Sequence, residues 1–137
     1  MANIAQSDTP VQYAMPRGKT GCLSMVGGFE VFVDDSYSET MRQYIRSGYY
    51  EGLECRAVLA LVKPSDRVLE AGTALGVVSM TAASIVGVNH VVTFEANPAM
   101  VEAARDNFQR NGFEGIRANI GVLTNRAKFS DGKRVPF

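Results

Sequence analysis

The sequence Glu-Ala-Gly-Thr-Ala-Leu-Gly at residues 70–76 follows a short apolar run, and its residue types suit the binding of a charged small molecule. Gly72 allows the backbone to turn sharply and to approach a ligand closely, since a Cβ atom would obstruct both. Gly76 allows the next helix to pack closely, and the free N–H groups at that helix's N-terminus attract a carboxylate or a phosphate. Glu70 adds a negative charge, which favours a ligand with an ammonium group. A plain strand-to-helix turn would show the same two glycines.

Glu95 ends the next apolar run, about 20 residues after the glycine turn. An acidic residue at this position can accept hydrogen bonds from both hydroxyls of a ribose, and each such bond is worth roughly 1.5–3 kcal/mol. Taken alone, Glu95 could equally be an exposed glutamate at a strand end. Because both loops belong to one strand–helix–strand unit, the sequence favours a nucleoside-binding site.

The spacing of the glycines indicates which nucleoside is bound. A dinucleotide site usually has the pattern Gly-x-Gly-x-x-Gly, but here Ala74 stands two residues after Gly72. The sequence also lacks a Gly-x-x-x-x-Gly-Lys-Ser/Thr phosphate loop. An adenosine ligand with an amino acid moiety and no phosphate fits these residues better, and S-adenosylmethionine has this composition. A fragment of a nicotinamide-dependent oxidoreductase is the less favoured alternative.

Alternating strand and helix patterns must position these two loops. Asn97 and Pro98 suit the N-cap and the first position of a helix. The alternation predicts an α/β protein with a Rossmann-like doubly wound parallel sheet, covered by helices on both faces. The expected elements are strands at 67–71, 91–95 and 116–123 and helices at 76–86 and from Pro98 up to Asn111-Gly112.

The chain divides into two expected parts. Residues 1–46 are expected to form an N-terminal arm, a hairpin and a helix, and residues 47–137 a partial S-adenosylmethionine-binding domain. Gly27-Gly28 lies between two apolar runs and predicts a two-residue β-hairpin turn, because glycine accepts positive φ at both positions. This hairpin is expected to decorate the main domain or to cap one end of it.

Two helices are expected between the hairpin and the first parallel strand. Ser36 and Glu39 have the spacing of a capping box at the start of the first helix. The second helix is expected at 51–62, because Lys63-Pro64 closes it. Its predicted buried residues are Leu53, Ala57, Ala60 and Leu61.

Three core strands are recognisable, whereas a doubly wound sheet usually has about six. We therefore expect the chain to be truncated after the third core strand, with a final hairpin at 127–137 around Asp131-Gly132. The exposed edge of a shortened sheet would favour a homo-oligomer. Two alternatives stay open for such a chain: a catalytic domain represented by its cofactor half, and a non-catalytic S-adenosylmethionine-binding module or fragment.

Composition limits the partners of the chain. Its 137 residues suit a single domain, and 14 basic and 14 acidic residues give a formal net charge of zero. We therefore expect no nucleic acid partner, since that would require a basic face. No apolar run reaches the roughly 20 residues of a membrane span, and the N-terminus lacks a signal-peptide pattern. We expect a cytoplasmic protein with no membrane partner, reduced thiols at Cys22 and Cys55, and no metal site, because His90 is the single histidine.

Three elements between residues 47 and 123 resemble the FkbM-type class I methyltransferases. Thr73-Ala74 and Ala96 depart from the residues that this family usually has. The matching residues are Gly48, Tyr50 and Glu51 in a Gly-x-Tyr-Glu element, Glu70, Gly72 and Gly76 in an acidic–x–Gly–Ala–Asn–x–Gly turn, and Glu95, Asn97 and Pro98 in a Glu-Pro-Asn-Pro element.

The resemblance implies S-adenosylmethionine as the cofactor and O-methylation of a hydroxyl on a small molecule or a sugar, by in-line displacement. His90 precedes its strand and lies at the wrong end for a general base, and the sequence assigns no other residue to that role. Tyr49, Tyr50 and Glu51 either line the site or pack at a helix start. The predicted cofactor-binding residues are Glu70, Gly72, Thr73, Ala74, Gly76, Glu95, Ala96 and Asn97.

Overall fold

The computed structural model describes residues 18–123, which form an antiparallel hairpin, four α-helices and a three-stranded parallel sheet. The hairpin consists of β1 (Gly21–Val26) and β2 (Phe29–Asp34). The sheet has the order β3 (Val68–Ala71), β4 (Val91–Glu95) and β5 (Arg117–Ile120). The helices are α1 (Glu39–Arg46), α2 (Gly52–Leu61), α3 (Val77–Val86) and α4 (Pro98–Arg110).

Two consecutive strand–helix–strand units build the parallel sheet. Helix α3 connects β3 to β4, and α4 connects β4 to β5. The strand register places Glu70 beside Thr93 and Glu95 beside Ile120, so the carboxyl ends of the strands meet at one edge of the sheet. The predicted α/β class with a Rossmann-like parallel sheet is confirmed.

The predicted hairpin is also confirmed. Gly27 and Gly28 form its turn with φ values of 58° and 90°, which residues with a Cβ atom rarely adopt. The side chains of Val26, Val31 and Val33 are fully buried. They share a hydrophobic cluster with Leu75, Val77 and Ala103 from the parallel part of the fold. The hairpin therefore packs against the segment that contains the glycine turn.

Helix α1 begins later than the capping-box spacing predicts. Its N-cap is Ser38, whose Oγ accepts a hydrogen bond from the N–H of Met41 at 3.2 Å. Ser36 instead belongs to the turn that leaves β2, where its N–H donates to Asp34 Oδ1 at 2.8 Å. The prediction of Ser36 as the cap was wrong because the Asp34 side chain holds the chain in a turn for two more residues.

Helix α2 exists as predicted, but the prediction of its buried face was wrong. Cys55 is the buried residue of this helix, and its neighbour across the interface is Thr81 of α3, whose hydroxyl lies 3.4 Å from Cys55 Sγ. The exposed fractions of Leu53 and Leu61 are 73% and 74%. The helix thus packs on α3 along a narrow stripe that includes Cys55, and the apolar residues on its other sides face solvent within the described part of the chain.

The two faces of the parallel sheet also differ in how much of their surface is buried. One face carries Val91, Thr93 and Ala118, which are buried beneath α3 and α4. On the other face Leu69 is 62% exposed, and an open depression of about 330 Å³ extends over Val92 and Phe94. Among residues 18–123 no helix covers this second face, so the prediction of a sheet covered on both faces is not met there.

Helix α4 begins and ends as predicted. Asn97 is its N-cap, with Oδ1 accepting a hydrogen bond from the N–H of Ala99 at 3.0 Å, and Pro98 is its first residue. Asn111 is the C-cap, and Gly112 follows with a φ of 76°. Strand β5 is shorter than predicted, since it ends at Ile120.

The predicted C-terminal hairpin at 127–137 lies outside the described residues. The same is true of residues 1–17 of the predicted N-terminal arm. No helix in the described range 18–123 has the length and apolar character needed to cross a membrane.

Candidate functional site

The glycine turn after β3 is attached to the neighbouring strand at its first residue. Gly72 has a φ of 91°, and its N–H donates a hydrogen bond to the carbonyl of Phe94 at 2.7 Å. No described atom lies within 4 Å of the position that a Cβ atom of Gly72 would occupy, so this side of the turn is open. The backbone at Gly72 can therefore approach a ligand, as its residue type predicts.

Gly76 ends the same loop, and its lack of a side chain has a different reason. A Cβ atom here would lie 2.4 Å from Cε1 of Phe108 in α4, which is far inside van der Waals contact. Gly76 is also the N-cap of α3, with a φ of 82°. The glycine therefore permits close packing of the loop against α4, rather than of α3 against its strand.

Glu95 connects the two loops at the carboxyl edge of the sheet. Its Oε2 accepts a hydrogen bond from the N–H of Ala74 at 3.1 Å, and its Oε1 accepts one from the N–H of Asn97 at 2.9 Å. Ala74 has a φ of 44°, in the left-handed region that disfavours residues with a Cβ atom. Since each carboxylate oxygen has a second lone pair, Glu95 can still accept hydrogen bonds from a ligand.

Glu70 is held by side chains instead of by the backbone. Its Oε2 accepts hydrogen bonds from the hydroxyls of Ser79 and Thr93, the latter at 2.9 Å. The hydroxyl of Thr73 lies 2.5 Å from that of Thr93 and is fully buried, so Thr73 points into the protein interior. Burial raises the pKa of Glu70, whereas the two hydroxyl donors lower it and the charge of Glu95 raises it further.

The sequence analysis left open whether Glu51 lines the site or packs at a helix start, and it did not include Glu51 among the cofactor-binding residues. It precedes α2 with a φ of 53°, and its buried Oε2 has no hydrogen-bond partner among residues 18–123. Burial raises the pKa of Glu51 to about 7; the charge of Glu70 adds to this effect, and a hydrogen bond with Tyr50 opposes it. Burial and the charge of Glu51 also raise the pKa of Tyr50, so its hydroxyl keeps its proton. The Gly-x-Tyr-Glu resemblance was the signal in the sequence that could have identified Glu51.

A pocket of about 220 Å³ opens at the carboxyl edge of the sheet. It is smaller than the roughly 300–1,000 Å³ typical of pockets for drug-sized ligands, so it would hold one part of a cofactor. Leu123 and Val122 line it on the side of β5, opposite the glycine turn. The remaining lining residues are Ala71, Gly72, Phe94, Glu95, Ala96 and Gly121.

The predicted site residues divide into three groups. Gly72, Glu95 and Ala96 line the pocket. Ala74 and Asn97 contribute backbone N–H groups that hold Glu95. Glu70, Thr73 and Gly76 make contacts with neighbouring elements, and none of these three lines the pocket.

Two residues that were weighed as catalytic candidates make other contacts. His90 lies before β4, and its Nδ1 is 2.8 Å from the carbonyl of Val86. Tyr49 is 72% exposed. Neither residue lies among those that line the pocket at the carboxyl edge.

S-adenosylmethionine fits this set of residues. A buried carboxylate oxygen without a partner is costly, and an ammonium or sulfonium group beside Glu51 and Glu70 would offset that cost. Glu95 lies at a pocket of suitable size for an adenosine, and the N-terminus of α3 follows the glycine turn directly. The fold and the site together define a class I, Rossmann-like methyltransferase domain, a class that uses S-adenosylmethionine as the methyl donor.

The chain belongs to the ribosomal protein L11 methyltransferase (PrmA) family, whose family model matches residues 53–134. The ribosomal protein L11 methyltransferase of Staphylococcus carnosus (strain TM300) is 36% identical over 68 residues, covering 49% of this chain and 22% of the relative. That of Symbiobacterium thermophilum is 43% identical over 54 residues, covering 39% of this chain and 17% of the relative. The chain thus spans about a fifth of the length of the curated relatives that it matches.

A solved structure, the tRNA m1G37 methyltransferase of M. jannaschii, has the same fold. Its TM-score is 0.50 at 16% sequence identity, and the match covers 81% of this chain and 31% of that chain. At this identity the likeness supports the fold alone.

These comparisons correct two expectations. The class I methyltransferase assignment is confirmed, but the family model that matches is PrmA and not FkbM. The expectation of a small-molecule or sugar acceptor and no nucleic acid partner was wrong, because the matching family model and the relatives are named for a ribosomal protein. A neutral net charge excludes a uniformly basic surface, but it does not exclude a macromolecular acceptor.

Proposed function

We propose that this chain carries the cofactor-binding part of an S-adenosylmethionine-dependent methyltransferase that acts on a protein of the ribosome. The observation that carries the proposal is the Glu95 carboxylate, which joins the glycine turn to the loop before α4 at the mouth of a pocket. An acidic residue held in this way can bind both hydroxyls of a ribose. Membership of the PrmA family supports the same reading.

The two ends of the cofactor would meet different parts of the site. The adenosine would lie in the pocket against Ala96 and Leu123, with its ribose on Glu95 and its edge close to the open backbone of Gly72. The amino acid end would place its ammonium group beside Glu51 and Glu70. Its carboxylate would lie near the free N–H groups at the N-terminus of α3, where the helix dipole favours negative charge.

The chain's own residues position and shield the reactants. When bound, the cofactor supplies an activated methyl group that passes to the acceptor in one in-line displacement, leaving S-adenosylhomocysteine. Glu95, the Gly72 turn and the carboxylates of Glu51 and Glu70 would fix the orientation of the donor, and correct orientation lowers the barrier to the transfer. The site contains no group that we assign as a general base.

The acceptor is proposed from the relatives. Ribosomal protein L11 is the acceptor named for the Staphylococcus carnosus and Symbiobacterium thermophilum relatives. We therefore propose a ribosomal protein as the acceptor of the full enzyme. The division into an N-terminal part at 1–46 and a cofactor domain at 47–137, and the cytoplasmic location, stay predictions.

The first test is calorimetric titration of the purified chain with three ligands. S-adenosylhomocysteine should bind, 5′-methylthioadenosine should bind more weakly because it lacks the amino acid end, and NADH should not bind. Binding of NADH in place of S-adenosylhomocysteine would favour the nicotinamide-dependent alternative. If a folded chain bound none of the three ligands, the proposed function would be wrong.

The acceptor needs a separate test. The chain is incubated with methyl-labelled S-adenosylmethionine and with ribosomal protein and RNA fractions kept apart. Label in the protein fraction is the expected result. Label in RNA alone would overturn the protein acceptor while leaving the methyltransferase assignment in place. Cofactor binding without any transfer would show that this chain binds the cofactor but does not catalyse the transfer by itself.

A further inference from the structure

Asn107 of α4 lies between the N-terminal hairpin and the glycine turn. Its side chain is fully buried. The N–H of Phe32 in β2 donates a hydrogen bond to Asn107 Oδ1 at 3.0 Å, and Asn107 Nδ2 donates one to the carbonyl of Leu75 at 3.0 Å. One amide side chain therefore holds the hairpin on one side and the turn on the other, and both bonds are shielded from water.

The carbonyl that Asn107 binds belongs to the cofactor loop itself. Leu75 lies between Ala74, whose N–H holds Glu95, and Gly76, which is the N-cap of α3. The next residue of α4, Phe108, packs against Gly76 so closely that a Cβ atom would not fit. Two consecutive residues of α4 thus support the buried end of the turn, where the chain enters α3.

Asn111, one helical turn later, provides a matched comparison. The N–H of Glu30 donates a hydrogen bond to Asn111 Oδ1 at 2.9 Å, and Asn111 Nδ2 donates to the carbonyl of Glu30 at 2.7 Å. Asn107 and Asn111 therefore both satisfy polar groups of β2, but Asn107 alone of the two binds the loop. Asn111 therefore serves as the control for attachment of the hairpin, and amide exchange at Gly76, next to the Leu75 carbonyl, is the readout specific to the loop.

We propose that Asn107 is a positioning residue that makes the geometry of the cofactor loop depend on the N-terminal hairpin. The proposal rests on the proposed cofactor site and extends it to residues that touch no ligand. Since a coupling between two sites acts in both directions, a ligand that orders the loop should also stabilise the hairpin amide that Asn107 holds. The hairpin is then a part of the cofactor-binding unit and not a peripheral addition to it.

The first test compares Asn107→Ala with Asn111→Ala. Asn107→Ala should weaken binding of S-adenosylhomocysteine roughly tenfold, the equivalent of one buried hydrogen bond, while Asn111→Ala should leave it within about twofold. In the ligand-free chain, amide hydrogen exchange at Gly76 should become faster in Asn107→Ala and stay unchanged in Asn111→Ala. Equal effects of the two substitutions at Gly76 and on binding would overturn the proposal.

A second measurement needs no substitution and so does not depend on a variant that folds. In the unchanged chain, S-adenosylhomocysteine should slow amide exchange at Phe32 as well as at Gly76, but not at Glu30. Slower exchange at Gly76 without any change at Phe32 would overturn the coupling while leaving the proposed function in place. Failure of the folded, unchanged chain to bind would count against the proposed function, and the ligand-free exchange comparison would still decide the role of Asn107.

Discussion

Glu70 and Glu95 end neighbouring parallel strands, yet the protein holds their carboxylates in two different ways. Glu70 accepts its hydrogen bonds from the hydroxyls of Ser79 and Thr93, and burial raises its pKa. Glu95 accepts its hydrogen bonds from the backbone N–H groups of Ala74 and Asn97, at the mouth of the pocket. One carboxylate thus depends on specific side chains, and the other depends on the course of the backbone.

This difference explains which substitutions the site tolerates. A backbone N–H group is present whatever the side chain, so Ala74 can hold Glu95 as well as a glycine would, provided that the backbone adopts a φ of 44°. The position of Glu70 depends instead on the hydroxyls of Ser79 and Thr93. Four further predictions follow, which address the carboxylates of Glu95 and Glu51 and the backbone at Ala74.

The largest effect is expected for Glu95→Gln. The substitution removes the charge that would bind the ribose. It also leaves one of the two backbone N–H groups, of Ala74 or Asn97, without an acceptor, because an amide nitrogen cannot accept a hydrogen bond. Binding of both S-adenosylhomocysteine and 5′-methylthioadenosine should weaken roughly 100-fold, the equivalent of two hydrogen bonds to a charged group. Calorimetric titration measures this, with Glu102→Gln as the control because Glu102 is an exposed partner of Arg105. Unchanged binding of 5′-methylthioadenosine would exclude Glu95 as the ribose ligand.

A smaller and more selective effect is expected for Glu51→Gln. Binding of S-adenosylhomocysteine should weaken roughly tenfold, because a charge-assisted bond to the ammonium group is lost, while 5′-methylthioadenosine should bind unchanged. In the unsubstituted chain, affinity for S-adenosylhomocysteine should rise between about pH 6 and pH 8 as Glu51 loses its proton. The variant should show a weaker dependence, to which Glu70 still contributes because burial raises its pKa as well. Equal weakening of both ligands would place Glu51 away from the amino acid end.

Glu51 should also make the stability of the fold depend on pH. The sign is opposite to that of the affinity, because stability falls as the pH rises. Folding raises the pKa of Glu51 from 4.5 to about 7, so the folded chain binds more protons than the unfolded chain between these values. The free energy of unfolding should therefore fall as the pH rises from 4.5 to 7. Urea unfolding across this range measures it, and Glu51→Gln should flatten the curve. Glu114→Gln, at an exposed position, should leave the dependence intact.

The smallest effect is expected for Ala74→Gly. Left-handed backbone at a residue with a Cβ atom costs about 1–2 kcal/mol, and glycine removes that cost. The free energy of unfolding should rise by about 1 kcal/mol, measured by urea unfolding. Ala57→Gly at an exposed position in the middle of α2 is the control and should lower stability by a similar amount, because helical glycine is unfavourable there. If Ala74→Gly were destabilising, the left-handed backbone would not be a source of strain.

Local patterns were sufficient to predict many elements of the fold. The Gly27-Gly28 turn, the cap at Asn97 and the end of α4 at Gly112 each depend on a few neighbouring residues, and all three were predicted correctly. Ser36 shows the limit of such patterns, since the side chain of Asp34 moved the helix start to Ser38. Leu53 shows another limit, because helical periodicity does not reveal which side of a helix finds a neighbour.

By itself, the sequence determined the class of the protein and the positions of the two loops that we propose to bind the cofactor. Glycine turns and strand-ending acids have backbone and charge requirements that few other residues meet, so Gly72 and Glu95 are recognisable without a structure. The tertiary structure alone decided what each group contacts. It placed Glu51 where the charge of Glu70 raises its pKa, pointed Thr73 into the interior and placed Asn107 between the hairpin and the loop. These contacts join residues far apart in the chain, and their partners are chosen by packing, which no local pattern encodes.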